Sequence, residues 1–95
     1  MMPPEKTVRL RITGRVQAVG YRLWATRTAT SLGLRGWVRN RADGSVEVLA
    51  IGPSETVTDF VAACRHGPRA AQVMAVSVAE AEDDCSLGFS ARPTE

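Results

Sequence analysis

The feature that most constrains this chain is a change of period across a short loop bounded by glycines. From Thr7 to Thr13 the residues alternate: Val8, Leu10 and Ile12 point one way, and Thr7, Arg9, Arg11 and Thr13 the other. That is a half-buried strand. Beyond Gly14-Arg15-Val16-Gln17-Ala18-Val19-Gly20-Tyr21-Arg22, the residues Tyr21, Ala25, Ala29 and Leu32 recur at helical spacing, with Trp24 and Thr28 on the flank of the stripe. Gly33 stands where a left-handed C-cap is expected. A strand-loop-helix junction aims unpaired backbone N–H groups at one spot, and the helix dipole adds partial positive charge there. Anions, phosphates above all, bind at such places. Arg22 falls in the first helical turn, where a planar guanidinium can grip phosphate oxygens bidentately. The loop is neither a Walker-type loop nor a dinucleotide fingerprint, and a first-turn arginine is ordinarily a solvated side chain, so the rest of the chain must decide.

The remaining pattern fixes the topology. Leu34 to Asn40 reads as a second strand and Arg41-Ala42-Asp43-Gly44 as a hairpin turn. Ser45 to Ile51 is a third strand with Val46, Val48 and Ala50 on one face. Gly52-Pro53-Ser54 breaks it, and Ser54 is the expected N-cap of a second helix. Val57, Phe60, Val61 and Cys64 follow at i, i+3, i+4 and i+7, and Gly67-Pro68 ends that helix. Val73 to Val78 supports a fourth strand. A short last strand near Phe89 to Ala91 follows the acidic stretch Glu80 to Asp84 and ends at Pro93. The order β-α-β-β-α-β predicts an α+β, ferredoxin-like split βαβ sandwich, an antiparallel sheet with two helices on one face.

Ninety-five residues allow one domain, read over 1–95 with an ordered core of about 6–92. A hydrophobic content of 44% is that of an ordinary globular protein, and a formal charge of +2 gives no strong attraction to nucleic acid or membrane. Eleven of the 12 basic residues are arginine, scattered without a basic run. Cys64 and Cys85 are too few and too far apart for a disulfide framework or a metal knuckle, and Cys64 falls on the apolar stripe. His66, the one histidine, sits where a helix ends and reads as a capping or surface residue. The N-terminal Met1-Met2-Pro3-Pro4-Glu5-Lys6 has no apolar signal core, and no run approaches a membrane span. A reduced, cytoplasmic protein is the expectation.

In this topology the first and third strands pair at the sheet centre and the second lies beside the third. The first two strands then run the same way, so Asn40 and the glycine-bounded loop emerge at one end of the sheet. Two separated segments carry a resemblance to the acylphosphatase family. Gly14 through Arg22 resembles its first signature, and Gly36 through Gly52, with the spacing to Gly44, Val46 and Gly52, resembles its second. Gly67-Pro68, followed by Ala71 and Val73, is similar to the family's stretch after helix two. The likeness runs from about Val8 to Phe89. It implies a hydrolase that cleaves the carboxyl-phosphate bond of acyl phosphates, with no metal, no cofactor and no covalent intermediate. The family's phosphate-binding arginine corresponds to Arg22 and its water-positioning asparagine to Asn40. Its backbone cradle corresponds to Arg15, Val16, Gln17, Ala18, Val19, Gly20 and Tyr21.

The chemistry suits this sparse equipment. A leaving carboxylate has a conjugate-acid pKa of roughly 4, so it departs without a general acid. Phosphoryl transfer is catalysed mainly by positioning and charge stabilisation. Each residue also has a plainer reading: Asn40 precedes a tight turn, Arg39 and Arg41 are read as solvated, Arg15 as pointing to water, and Trp37 as sheet packing. Ala18 is a departure, standing where the family usually has glycine. If that position needs positive φ, alanine strains it by on the order of 1 kcal/mol.

Three other readings compete. A ferredoxin-like RNA-binding module needs exposed aromatic residues on the open sheet face, where the central strands offer Arg9, Arg11, Glu47 and Leu49. A non-catalytic, anion-binding regulatory module would need the cradle but not Asn40, and a stand-alone relative of the acylphosphatase-like domain of hydrogenase maturation proteins would be expected with zinc-binding cysteine pairs. The expected partners are an acyl phosphate and phosphate anions, with no nucleic acid and no membrane, and the chain is expected to act as a monomer.

Overall fold

Alternating apolar residues can fill only one face of a strand, and two amphipathic helices then cover that face. In the computed structural model, which describes residues 4–95, β1 (Glu5–Arg15), β2 (Arg35–Asn40), β3 (Val46–Pro53), β4 (Gln72–Glu80) and β5 (Phe89–Arg92) form one sheet in the order β4-β1-β3-β2-β5. Helices α1 (Tyr21–Ser31) and α2 (Ser54–Cys64) pack on one face of it. Residues 1–3, part of the stretch read as lacking a targeting signal, lie outside the described residues.

The split βαβ arrangement is as the periodicity predicts, with one correction. The sheet is mixed: β5 adds at the edge parallel to β2, pairing Gly36 with Phe89 and Val38 with Ala91, while the other pairs are antiparallel. Val8, Leu10, Ile12, Val38, Val46, Val48 and Ala50 meet Tyr21, Ala25, Ala29, Val57, Phe60 and Cys64 in the core. Leu32 is not among them. It is the C-cap of α1 and 38% exposed, and Leu34 takes the buried place instead. Gly33 has φ 72 and the Leu34 N–H donates to the Ala29 carbonyl at 2.9 Å, so the helix closes in a Schellman motif.

A second correction concerns the start of α2. Pro53 is the N-cap, Ser54 is the first helical residue, and no side chain caps the helix. The preceding strand runs directly into α2, and the Ser54 N–H donates to the Pro4 carbonyl at 2.9 Å. The extra residue Met74 in β4 makes a bulge opposite Thr13 and Gly14. Gly14, at φ 120, is required there, because a Cβ would lie 2.3 Å from the Gln72 carbonyl oxygen.

The face away from the helices carries its own small cluster, Trp37, Leu49 and Ile51. Trp37 is sheet packing on this outer face: its indole N–H donates to Asp84 at 3.0 Å, and the guanidinium groups of Arg39 and Arg92 lie 4.8 Å from its ring centroid. Glu47 is 5% exposed and accepts from Arg39 Nε at 2.8 Å, with Arg41 Nη1 and Arg9 Nε each 3.5 Å away. Arg39 and Arg41, read from sequence as solvated, are thus paired with a buried carboxylate. The acidic stretch finds arginines too, Asp83 with Arg35 and Asp84 with Arg92.

Candidate active site

β1 and β2 both run antiparallel to β3, so their C-terminal ends emerge together. The loop 16–20 leaves the first and the turn 41–44 leaves the second. Between them lies a depression of about 180 Å³ lined by Val16, Ala18, Gly20, Tyr21, Arg22, Leu23 and Asn40.

Backbone geometry builds the floor. Ala18 has φ 60 and Gly20 φ 81, while Gln17 and Val19 keep negative φ. This alternation of hand turns successive N–H groups toward one side, which makes a concave anion nest. Among the described residues, no acceptor takes up the N–H groups of residues 17–20, and the first N–H bonded back into the turn is that of Trp24, to the Gly20 carbonyl at 3.0 Å. Gly20 is the N-cap of α1, no side chain caps the helix, and its first turn holds no acid. The N–H groups that a serine or aspartate cap would satisfy carry no such partner. Ala18 therefore does occupy the left-handed region that makes an alanine costly.

The core holds this loop from beneath. Val16 is buried, and the Tyr21 hydroxyl donates to the Cys64 carbonyl at 2.7 Å, joining the first residue of α1 to the last of α2. Burial pushes the Tyr21 hydroxyl far above its ordinary range and the Cys64 thiol up to about 12, so neither ionises near neutral pH. Arg22 is half-buried, and its Nη1 donates to the Arg92 carbonyl at 3.3 Å. The Asn40 backbone is fixed on both sides, by pairing with Val46 and by the Glu95 N–H on its carbonyl at 3.1 Å, while its carboxamide makes no hydrogen bond among the described residues. The neighbouring turn is closed by Asp43, which accepts from the hydroxyl and N–H of Ser45. Those bonds, the hydroxyl first, hold its carboxyl below its ordinary value.

Of the residues singled out in sequence, Arg22, Asn40, Val16, Ala18, Gly20 and Tyr21 are brought around one depression. Arg15, Gln17 and Val19 do not line it: Arg15 is exposed at the end of β1, Val19 packs against the core, and the Gln17 side chain turns toward the hairpin. Two participants escaped the sequence reading. Leu23, 56% exposed, forms part of the rim, and the Arg92 carbonyl holds Arg22 from β5. Position beside Arg22 was the available signal for Leu23. A backbone carbonyl arriving from a strand 70 positions away leaves none.

The acylphosphatase family model matches residues 8–90. The acylphosphatase of Azoarcus sp. is 50% identical over 97 aligned positions, which cover 99% of this chain and 99% of that one. Among solved structures, the acylphosphatase of Bacillus subtilis superposes with a TM-score of 0.87 at 38% identity, covering 90% of this chain and 97% of the other. That of Coxiella burnetii gives 0.89 at 30% identity, with 93% of each chain covered.

Proposed function

The chain belongs to the acylphosphatase family and hydrolyses acyl phosphates to a carboxylate and inorganic phosphate, and from that premise we propose that Arg22 and Asn40 are its catalytic residues. The observation that supports this reading is their convergence with unpaired loop N–H groups on one depression. The Arg22 guanidinium and the loop N–H groups at Ala18 and Gly20, which line the depression, bind the non-bridging phosphate oxygens, whose charge shifts as the reaction proceeds. The Asn40 side-chain oxygen accepts a hydrogen bond from a water and aligns it for in-line attack. The water oxygen bonds to phosphorus, the phosphorus–acyl oxygen bond breaks, and the carboxylate leaves with the electron pair. The water's proton passes to a phosphate oxygen. Nothing in this sequence of steps asks for a metal, a cofactor or a general acid, because the leaving group is already a weak base.

The chain acts on this reading as one domain and as a monomer in the cytoplasm, and no helix among the described residues is long and apolar enough to cross a membrane. A nucleic-acid role draws no support from the open face, where Trp37 is only 4% exposed. The test is hydrolysis of benzoyl phosphate in excess EDTA by the wild type, Arg22→Ala and Asn40→Ala. Wild-type turnover survives the chelator, and each substitution lowers kcat/KM by at least about a hundredfold. Activity that survives either substitution removes that residue from the mechanism.

A further inference from the structure

We propose that Gln17 is a positioning residue, whose side chain fixes the β2–β3 hairpin, and with it Asn40, against the anion cradle. The proposal rests on the role given above to Asn40. Gln17 Nε2 donates to the Arg41 carbonyl at 2.8 Å and to the Ser45 carbonyl at 2.9 Å. Both contacted atoms are carbonyl oxygens, so the amide must present its NH2 there. Those two carbonyls are the ends of the turn that begins at the residue after Asn40.

The turn does not need Gln17 to be a turn. The Arg41 carbonyl also accepts from the Gly44 N–H at 3.1 Å, and the Ser45 carbonyl from the Arg41 N–H at 2.8 Å. The Gln17 amide uses the second lone pair of each oxygen. What it adds is a bracket between two segments that are 24 and 28 residues apart in the chain. One segment carries the N–H groups for the phosphate and the other carries the group for the water. In-line attack depends on the offset between them, and a displacement of about 1 Å can cost a hundredfold in rate. Without the bracket the cradle stays intact while the water group loses its registration.

Asn40 also explains how the proposal can be separated from a simple loss of stability. The experiment compares wild type, Gln17→Met, Asn40→Ala and the double variant, reading kcat on benzoyl phosphate and the inhibition constant of inorganic phosphate. Gln17→Met lowers kcat by about tenfold or more while phosphate inhibition stays within about twofold. In the Asn40→Ala background the same change lowers kcat by less than about twofold, because the group it positions is gone. Multiplying effects in the double variant overturn the proposal, as does phosphate inhibition weakening in step with kcat. Gln17→Glu keeps the length of the side chain and sets a carboxylate against two carbonyls, so it loses at least as much, and wild-type kcat in this variant also overturns the proposal. Should Gln17→Met fail to fold, Gln17→Glu takes its place in the cycle. Wild-type kcat in Asn40→Ala alone sinks the role of Asn40 itself, a result distinct from non-additivity failing while Asn40→Ala is inactive.

Discussion

The two helices of this protein begin in opposite ways. At α1 the N-cap is a glycine, no side chain caps the end, and the second helical residue is Arg22. At α2 the N-cap is Pro53, the Ser54 N–H is spent on the Pro4 carbonyl, and the second helical residue is Glu55. Neither end has a side-chain cap, but at α2 the dipole is met by the helix's own acid. The other is built against its own stability, with a cation at the positive end of the dipole and free donors beside it. The start of α1, with its unbonded donors and its cation, is the end that the proposed mechanism gives to the anion.

Arg22→Glu gives α1 the charge that α2 already has at the same position. It abolishes hydrolysis of benzoyl phosphate, lowering kcat/KM by at least about a thousandfold. Yet the urea midpoint stays level or rises, since the acid suits the dipole by about 0.3–1 kcal/mol. A fall in the midpoint would mean that Arg22 serves the fold as well as the site.

Glu47→Gln probes the outer network that holds the hairpin arginines. Glu47 neutralises Arg39 and Arg41, whose side chains are 17% and 30% exposed. Its loss lowers stability by about 2 kcal/mol by denaturant titration, with kcat on benzoyl phosphate kept within about threefold. Loss of activity in a fully folded variant would show that the outer network reaches the site.

The reverse exchange at α2, Glu55→Arg, costs about 0.5 kcal/mol of stability and creates no affinity for phosphate in calorimetry. Phosphate binding gained there would mean that an arginine in a first turn suffices without the alternating-hand loop. Smallest is Ala18→Gly. Relief of the left-handed alanine is partly offset by the greater freedom of glycine in the unfolded chain, leaving about 0.5 kcal/mol of stabilisation and a slightly stronger phosphate inhibition. A weaker inhibition would mean that the stiffness of alanine preorganises the nest.

Much of this was legible in sequence, for identifiable reasons. The period change across Gly14 to Gly20 located the start of α1 at Tyr21, although β1 runs on through the bulge to Arg15, past the Thr13 where alternation ends, and alternation assigned Val8, Leu10, Ile12, Val46, Val48 and Ala50 to the core side. The direction of β2 relative to β1 put Asn40 at the same end as the loop. Periodicity says nothing about which arginine meets which acid, because an ion pair depends on register between strands. Arg39 and Arg41 were misread on that account. Leu32 was misread because its helix closes one residue early, in a Schellman turn that hands its buried place to Leu34. Ser54 fits the composition of a cap, but the helix already includes it, so the cap position falls to Pro53. The strain at Ala18 was readable as a condition, and the backbone supplies the condition.

The buried bond from the Tyr21 hydroxyl to the Cys64 carbonyl has a consequence for how activity fails. Tyr21 ends the cradle and also belongs to the core, which ties the end of the nest to the packing of both helices. Helical amides from Trp24 onward, the first bonded back to the Gly20 carbonyl, are expected to exchange together with the core around Tyr21. A denaturant curve followed by turnover is expected to overlay one followed by tryptophan fluorescence, and turnover lost at lower denaturant would show that the loop opens by itself.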